Sequence, residues 1–169
     1  MLSNKLTFFT ALVLAFAATG FSEPTSKTVA VESSTRFCLF LPPHPGGGIS
    51  DNEHRSISFC RSAITDIPNA KTFPHGFIQS AHYRKKGTRY VQVTGRIDRD
   101  AYNLDDDDEG GQNDPKAPQG ALCRGYPYFV QLLEPDEEIY CIRCCNNKSD
   151  CPTNRSEDGC RDVIGGNYD

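Results

Sequence analysis

Tryptophan is absent from the 169 residues, and methionine occurs once. The lack of tryptophan removes the usual flat platform for stacking sugars, although seven tyrosines could substitute for it. After the first twenty or so residues no second long apolar run occurs, so no membrane span is expected. The terminal Ile164-Gly-Gly-Asn-Tyr-Asp169 is too polar for a lipid-anchor signal and carries no retention tetrapeptide. Basic charge is also short. Setting Lys5 aside with the N-terminal segment leaves 17 basic against 22 acidic residues, and five of the acids sit in the run Asp105-Asp-Asp-Asp-Glu109. The rest of the chain is formally neutral, so neither nucleic acid nor an anionic membrane is an expected partner. Helical periodicity is weak throughout, and no Gly-x-Ser-x-Gly nucleophile signature is present.

Met1 to about Ser22 has the form of a signal peptide. One positive charge, Lys5, precedes an uncharged stretch rich in Leu, Phe and Ala from Leu6 to Ala18, and small residues close the segment. The run is too short to span a membrane. Residues 23–35 are small, polar and free of cysteine, and are expected to form a flexible arm. Residues 36–169 are expected to form a single disulfide-rich domain, and the protein to be extracellular.

All eight cysteines (Cys38, Cys60, Cys123, Cys141, Cys144, Cys145, Cys151 and Cys160) lie beyond the signal. An even number in an oxidising compartment predicts a framework of four bridges. Cys141-Ile-Arg-Cys144 has ligand-like spacing, but no second such pair or closely spaced histidine pair accompanies it, so no metal is expected. Adjacent Cys144 and Cys145 are expected to reach separate partners. Spacing alone does not choose among the 105 pairings.

The pattern predicts a mainly β fold: a small disulfide-stapled antiparallel sheet of two hairpins plus an N-terminal strand, with long loops and a cysteine-rich C-terminal tail. Arg36 to Leu41 is an apolar burst ended by Pro42-Pro43. Pro45-Gly46-Gly47-Gly48 reads as loop, and without a following Lys-Ser or Lys-Thr it is no phosphate cradle. The first hairpin is expected from Phe77–Tyr83 and Tyr90–Ile97 around a basic turn. Val91, Val93 and Ile97 share one face there, and Gln92, Thr94 and Arg96 the other. The second pairs Tyr126–Leu133 with Glu138–Cys145 through Glu134-Pro-Asp-Glu137, a proline turn. Tyr128, Val130 and Leu132 would face the core, with Ile139, Cys141, Arg143 and Cys145 opposite. Asp105 to Pro115 reads as a solvated loop. The EF-hand template fails on it, because its twelfth position falls on Lys116 where a bidentate Glu is required.

No coherent catalytic set stands out, and no cofactor is implied. A ribonuclease would need two histidines, or a histidine and a carboxylate, with a cation. His44, His54, His75 and His82 are available, and Arg96, Lys85 and Lys86 lie near His82 in the sequence pattern. Glycoside hydrolysis would need two carboxylates, for which Asp98, Asp100, Glu134 and Asp136 are the candidates. Turn chemistry already accounts for Glu134 and Asp136. Asn147-Lys-Ser149 and Asn154-Arg-Ser156 are N-glycosylation sequons in a polar region.

Five segments carry a resemblance: Arg36-Phe-Cys-Leu-Phe-Leu-Pro-Pro43, Tyr90-Val-Gln-Val-Thr-Gly95, Ala121-Leu-Cys-Arg-Gly-Tyr126, Tyr140-Cys-Ile-Arg-Cys-Cys145 and Asp150-Cys-Pro-Thr153. From about Phe37 to the C-terminus the chain resembles a family of small cysteine-rich proteins secreted by fungi. The resemblance implies an extracellular fungal protein in contact with a host or substrate surface, and it brings no catalytic residues. The leading expectation is a secreted, non-enzymatic binding or interaction protein acting at a host or cell-wall surface. The alternative is a small extracellular hydrolase of polysaccharide or RNA. A hydrophobin-like coat protein fits less well, since only one adjacent cysteine pair occurs.

Overall fold

Two seven-residue strands with alternating side chains, joined by a tight proline turn, form the middle of the molecule. In the computed structural model the described residues are 25–62, 64 and 67–169, so the expected signal peptide, 1–22, lies outside them. The strands in chain order are β1 (Thr28–Val29), β2 (Cys38–Leu41), β3 (Ile57–Cys60), β4 (Lys71–Thr72), β5 (His82–Lys86), β6 (Tyr90–Arg96), β7 (Gly111–Asn113), β8 (Leu122–Cys123), β9 (Tyr128–Glu134) and β10 (Ile139–Cys145). Short helices α1 (Ile49–Asn52) and α2 (Gly159–Val163) complete the main elements. The main sheet has the order β5-β6-β10-β9-β7, antiparallel throughout. A second sheet, β2-β3-β4, joins β2 and β3 antiparallel and β3 and β4 parallel, and β1 pairs parallel with β8.

Both expected hairpins form, as β5–β6 and β9–β10. In the second, Glu138 N–H donates to Pro135 O at 3.1 Å, and Glu138 takes a positive φ of 53°. The first begins later than its apolar pattern suggested. Phe77 is fully buried, in a bridge region where Ile78 pairs with Ile97, and the strand proper is the polar His82–Lys86 at the sheet edge. Charged side chains suit an exposed edge, where they discourage pairing with other chains. Gly95 is needed where the chain recrosses β6, because a Cβ there would meet the backbone of Ser80.

The main sheet is covered on both faces. One face presents Val91, Val93, Phe129, Leu133, Tyr140 and Ile142 to the β2-β3-β4 layer. There Phe37 stacks on Tyr140 (ring centroids 5.7 Å apart), Phe37 and Phe77 each touch Phe73, and Phe59 and Phe77 each meet Tyr102 edge-on. Gln131 lies inside this core because its amide closes both backbone groups of Phe40, at 2.7 and 2.8 Å. The other face presents Tyr90, Val130, Leu132, Ile139 and Cys141 to Val163, Ile164 and Tyr168 of the C-terminal tail. Gln92 and Thr94, read from sequence as the polar face of their strand, are therefore buried. They bond Gly165 O and Asn167 O of that tail.

Two further expectations are corrected. Within the stretch expected as a flexible arm, β1 hydrogen-bonds to β8, and Val29 and Ala30 are buried against the core, their small apolar side chains filling it. In the stretch read as solvated loop, residues 111–113 form β7 and Asn113 is buried. Polar residues are tolerated there because the Asn113 amide donates to Ser56 Oγ at 2.8 Å and to Ala117 O at 3.0 Å.

All eight cysteines are bridged: Cys38–Cys60, Cys123–Cys144, Cys141–Cys160 and Cys145–Cys151. The adjacent Cys144 and Cys145 point to opposite faces of β10, as strand alternation requires, so each staples a different layer to the sheet.

Candidate functional site

The four histidines are spread over separate elements. His44, His54 and His75 are exposed on separate loops. His82 Nε2 lies 2.7 Å from Asp169 O, on a shallow cavity also lined by Arg84, Gln92, Thr94 and Asn167. Arg96 instead faces Glu138 at 3.7 Å, and Asp98 caps the 3-10 turn Arg99–Tyr102 by accepting from Asp100 N–H at 3.0 Å. His82, Arg96 and Asp98 thus each engage a different partner, although His82 lies opposite Thr94, two residues from Arg96 on the same face. Lys85 and Lys86 are exposed on the edge strand, Lys86 over the Tyr90 ring. Asn147 and Asn154 are both exposed.

The main sheet has two chemically opposite ends. At the end of the β9–β10 turn, a cleft of about 500 Å³ is lined by Glu53, Asp107, Asp108, Glu109, Glu134, Asp136, Glu137 and Glu157. Several of these carboxylates build the loops. Asp108 accepts from Ile49 N–H at 2.8 Å and Gly110 N–H at 2.9 Å, Glu53 from Gln112 N–H at 2.7 Å, and Glu134 from Cys160 N–H at 2.6 Å. Burial raises the Glu134 carboxyl above its ordinary range, and Asp136 and Glu137 add to the rise, while the Cys160 N–H opposes it. Of the carboxylates considered for glycoside hydrolysis, Glu134 and Asp136 share this cleft and Asp98 and Asp100 do not. Asp105, Asp106 and Asp107 bring carboxylate oxygens within 4.8 Å of one another, all exposed.

At the other end lie the β5–β6 turn and the start of the tail. Arg84, Lys85, Lys86, Arg89 and Lys148 are exposed there. Arg89 forms a forked ion pair with Asp150. Arg143 lies with its guanidinium 4.4 Å from the Tyr90 ring centre and donates to Gln92 Oε1 and Asp150 O, each at 3.0 Å. Its pKa is lowered, chiefly by burial. A smaller cavity of about 270 Å³ opens at this end between β7, β9 and the tail, lined by Asp114, Pro115, Lys116, Tyr128, Lys148 and Thr153. Sequence reading missed this cavity. Its residues come from three separate segments, and Tyr128, half-exposed at 37%, was counted as a core residue.

The fold and its staples define a small, disulfide-clamped β protein. Its described residues include no helix long and apolar enough to cross a membrane. It is distantly similar to fungal appressorium proteins. Over 163 residues it is 29% identical to Appressorium protein ROW1 of Mycosarcoma maydis, a match covering 85% of this chain and 37% of that protein. It is 27% identical over 173 residues to Appressorium protein ROW2 of the same fungus, covering 89% of this chain and 58% of that protein. The chain therefore spans less than two thirds of the length of either relative. No family model and no solved structure matches it.

Proposed function

We propose that this chain is a secreted, non-enzymatic binding protein of a fungus, acting where an appressorium meets a host or cell-wall surface. The observation that carries the reading is the similarity to two appressorium proteins across 85% and 89% of the chain. Four disulfides support an oxidising, extracellular setting, since such bridges persist outside the reducing cytosol. His82, Arg96 and Asp98 are each taken up by a separate contact, with Asp169 O, Glu138 and Asp100 N–H, which supports binding over nucleolytic chemistry. The exposed sequons at Asn147 and Asn154 suit N-linked glycans, on the same reading.

The deciding experiment incubates the secreted protein with plant and fungal cell-wall fractions and assays the same material for hydrolysis of polysaccharide and RNA. Retention on a wall fraction without release of product is expected. Turnover of any polymer by the pure protein would replace this reading with the hydrolase one.

A further inference from the structure

We propose that the cavity between β7, β9 and the tail binds a uronic-acid unit of an acidic polysaccharide, with its carboxylate on Lys116 and Lys148 and its apolar ring face on Tyr128. The inference deepens the binding-protein reading and rests on it. Three features of the cavity carry it. Tyr128 presents a half-exposed ring on the wall, and its hydroxyl makes no hydrogen bond with a described residue. An aromatic ring with a polar tip suits a ligand that is apolar on one face and wet on its edges, as a sugar ring is. Lys116 and Lys148 are exposed on the same wall, and their ammonium groups have no carboxylate partner among the described residues. Each is a free cation beside the ring, suited to an oxyanion.

The third feature is the back of the cavity, which is rich in acceptors. Asp114 is 7% exposed. One of its oxygens accepts from Lys116 N–H at 2.7 Å and the other from the Gln112 amide at 3.2 Å. That amide also donates to Thr153 O at 3.0 Å, which fixes its orientation, because a flipped amide would set oxygen against two oxygens. Gln112 itself does not line the cavity, and its buried Oε1 has no partner among the described residues. A wall of carboxylate and carbonyl oxygens takes donors, and sugar hydroxyls are donors.

Charge selects an acidic sugar over a neutral one. Lys116 and Lys148 are the cations of the cavity itself, Lys85 and Lys86 lie at this same end of the sheet on the far edge strand β5, and the eight-carboxylate cleft lies at the other end. A volume of about 270 Å³ accommodates one sugar ring, so the rest of the polymer must run over the rim.

The test is a calorimetric titration of the whole secreted protein with a galacturonic-acid trisaccharide, a glucuronic-acid-containing trisaccharide and a neutral galactose trisaccharide. Saturable binding of at least one acidic trisaccharide is expected, about tenfold or more tighter than the neutral one, and the preferred acid identifies the source polymer. Tyr128→Ala and the double variant Lys116→Ala, Lys148→Ala should each weaken it about tenfold or more, and Tyr128→Phe by less than about threefold. All of these side chains are at least partly exposed, so a melting temperature near the parent's confirms that the variants fold. The proposal is overturned by no saturable binding of either acid, by equal binding of the neutral sugar, or by affinity that the cavity variants leave unchanged. It is also overturned if Lys85→Ala, Lys86→Ala abolishes binding while the cavity variants do not. Wall binding that Tyr128→Ala leaves intact defeats this inference alone, whereas polymer turnover defeats the broader reading.

Discussion

The two layers that cover the main sheet are held to it by different means. The β2-β3-β4 layer brings a connected set of rings, Phe37, Phe59, Phe73, Phe77 and Tyr102, onto Tyr140 of the sheet. The C-terminal tail brings only Val163, Ile164 and Tyr168 as large apolar anchors, and is tied by Cys141–Cys160 and Cys145–Cys151. Burying one such side chain gives about 1.5–3 kcal/mol, whereas ordering each residue's backbone costs about 1–2 kcal/mol. Three anchors do not offset some twenty ordered residues. The first face is secured mainly by buried rings, with Cys123–Cys144 beside them, and the second mainly by bridges that confine the chain before it folds.

Cutting into the ring network should have the largest effect. Phe37→Ala removes a fully buried ring in contact with both Phe73 and Tyr140, and should cost about 3–5 kcal/mol. Denaturant unfolding would read this as one cooperative loss across the molecule. If the tail were lost first and the sheet kept, the layers would be less coupled than the shared sheet implies.

Removing the tail's bridges should act locally instead. A Cys151→Ser, Cys160→Ser variant should keep the sheet folded and free the chain from about Asn146 onward. Trypsin should then cut at Lys148, Arg155 or Arg161 while sparing the parent. A variant tail as resistant as the parent's would show that packing alone holds it.

A smaller, pH-dependent effect is expected at Glu134, which ties β9 to the start of α2 through Cys160 N–H. Burial raises its pKa above the ordinary 4.5. Between that value and the raised one, the folded chain keeps a proton that the unfolded chain has lost. Stability therefore falls as pH rises through this window and levels off above it. Glu134→Gln should flatten that fall, seen as melting temperatures that change less between pH 4 and 7 than the parent's. Asp150 shifts the opposite way through its bond to Arg89, so its contribution is lost only below the ordinary 3.8, outside the same window.

The smallest effects should come from the acidic run, and they divide within it. Asp105, Asp106 and Asp107 are exposed, and replacing all three with Ser should change stability by about 0.5 kcal/mol or less, with or without calcium. Asp108→Ser removes two backbone hydrogen-bond acceptors and should cost about 1 kcal/mol or more. A calcium-dependent rise in melting temperature, lost in the triple variant, would show that the exposed carboxylates hold an ion.

Alternation made the two hairpins legible, and the Pro135-Asp136 turn fixed the bend of the second. The eight cysteines made the staples legible, though not their pairing. What escaped were pairings whose reason lies far off in the chain. β7 is polar and was read as loop, because nothing local to Gln112 and Asn113 announces that Glu53, Ser56 and Ala117 will satisfy them. β1 is two residues long and owes its place to β8, over ninety residues away in the chain. Gln92 and Thr94 follow a rule that holds for a sheet with one wet face, and the tail removes that condition. The Tyr128 cavity escaped for the same reason, since one tyrosine in an alternating strand carries no sign of whether its outer side is covered.

The charge arrangement has a consequence for how the molecule meets a surface. A seven-residue strand spans roughly 20 Å, more than twice the Debye length of about 8 Å in physiological salt. The carboxylate cleft and the lysine-bearing end are therefore screened from each other and felt separately by anything that approaches. An anionic surface would attract the lysine end and repel the carboxylates, turning the one inward and the other outward. Molecules adsorbed in this way would share one orientation, and the layer they form would show solvent a uniformly negative outer face.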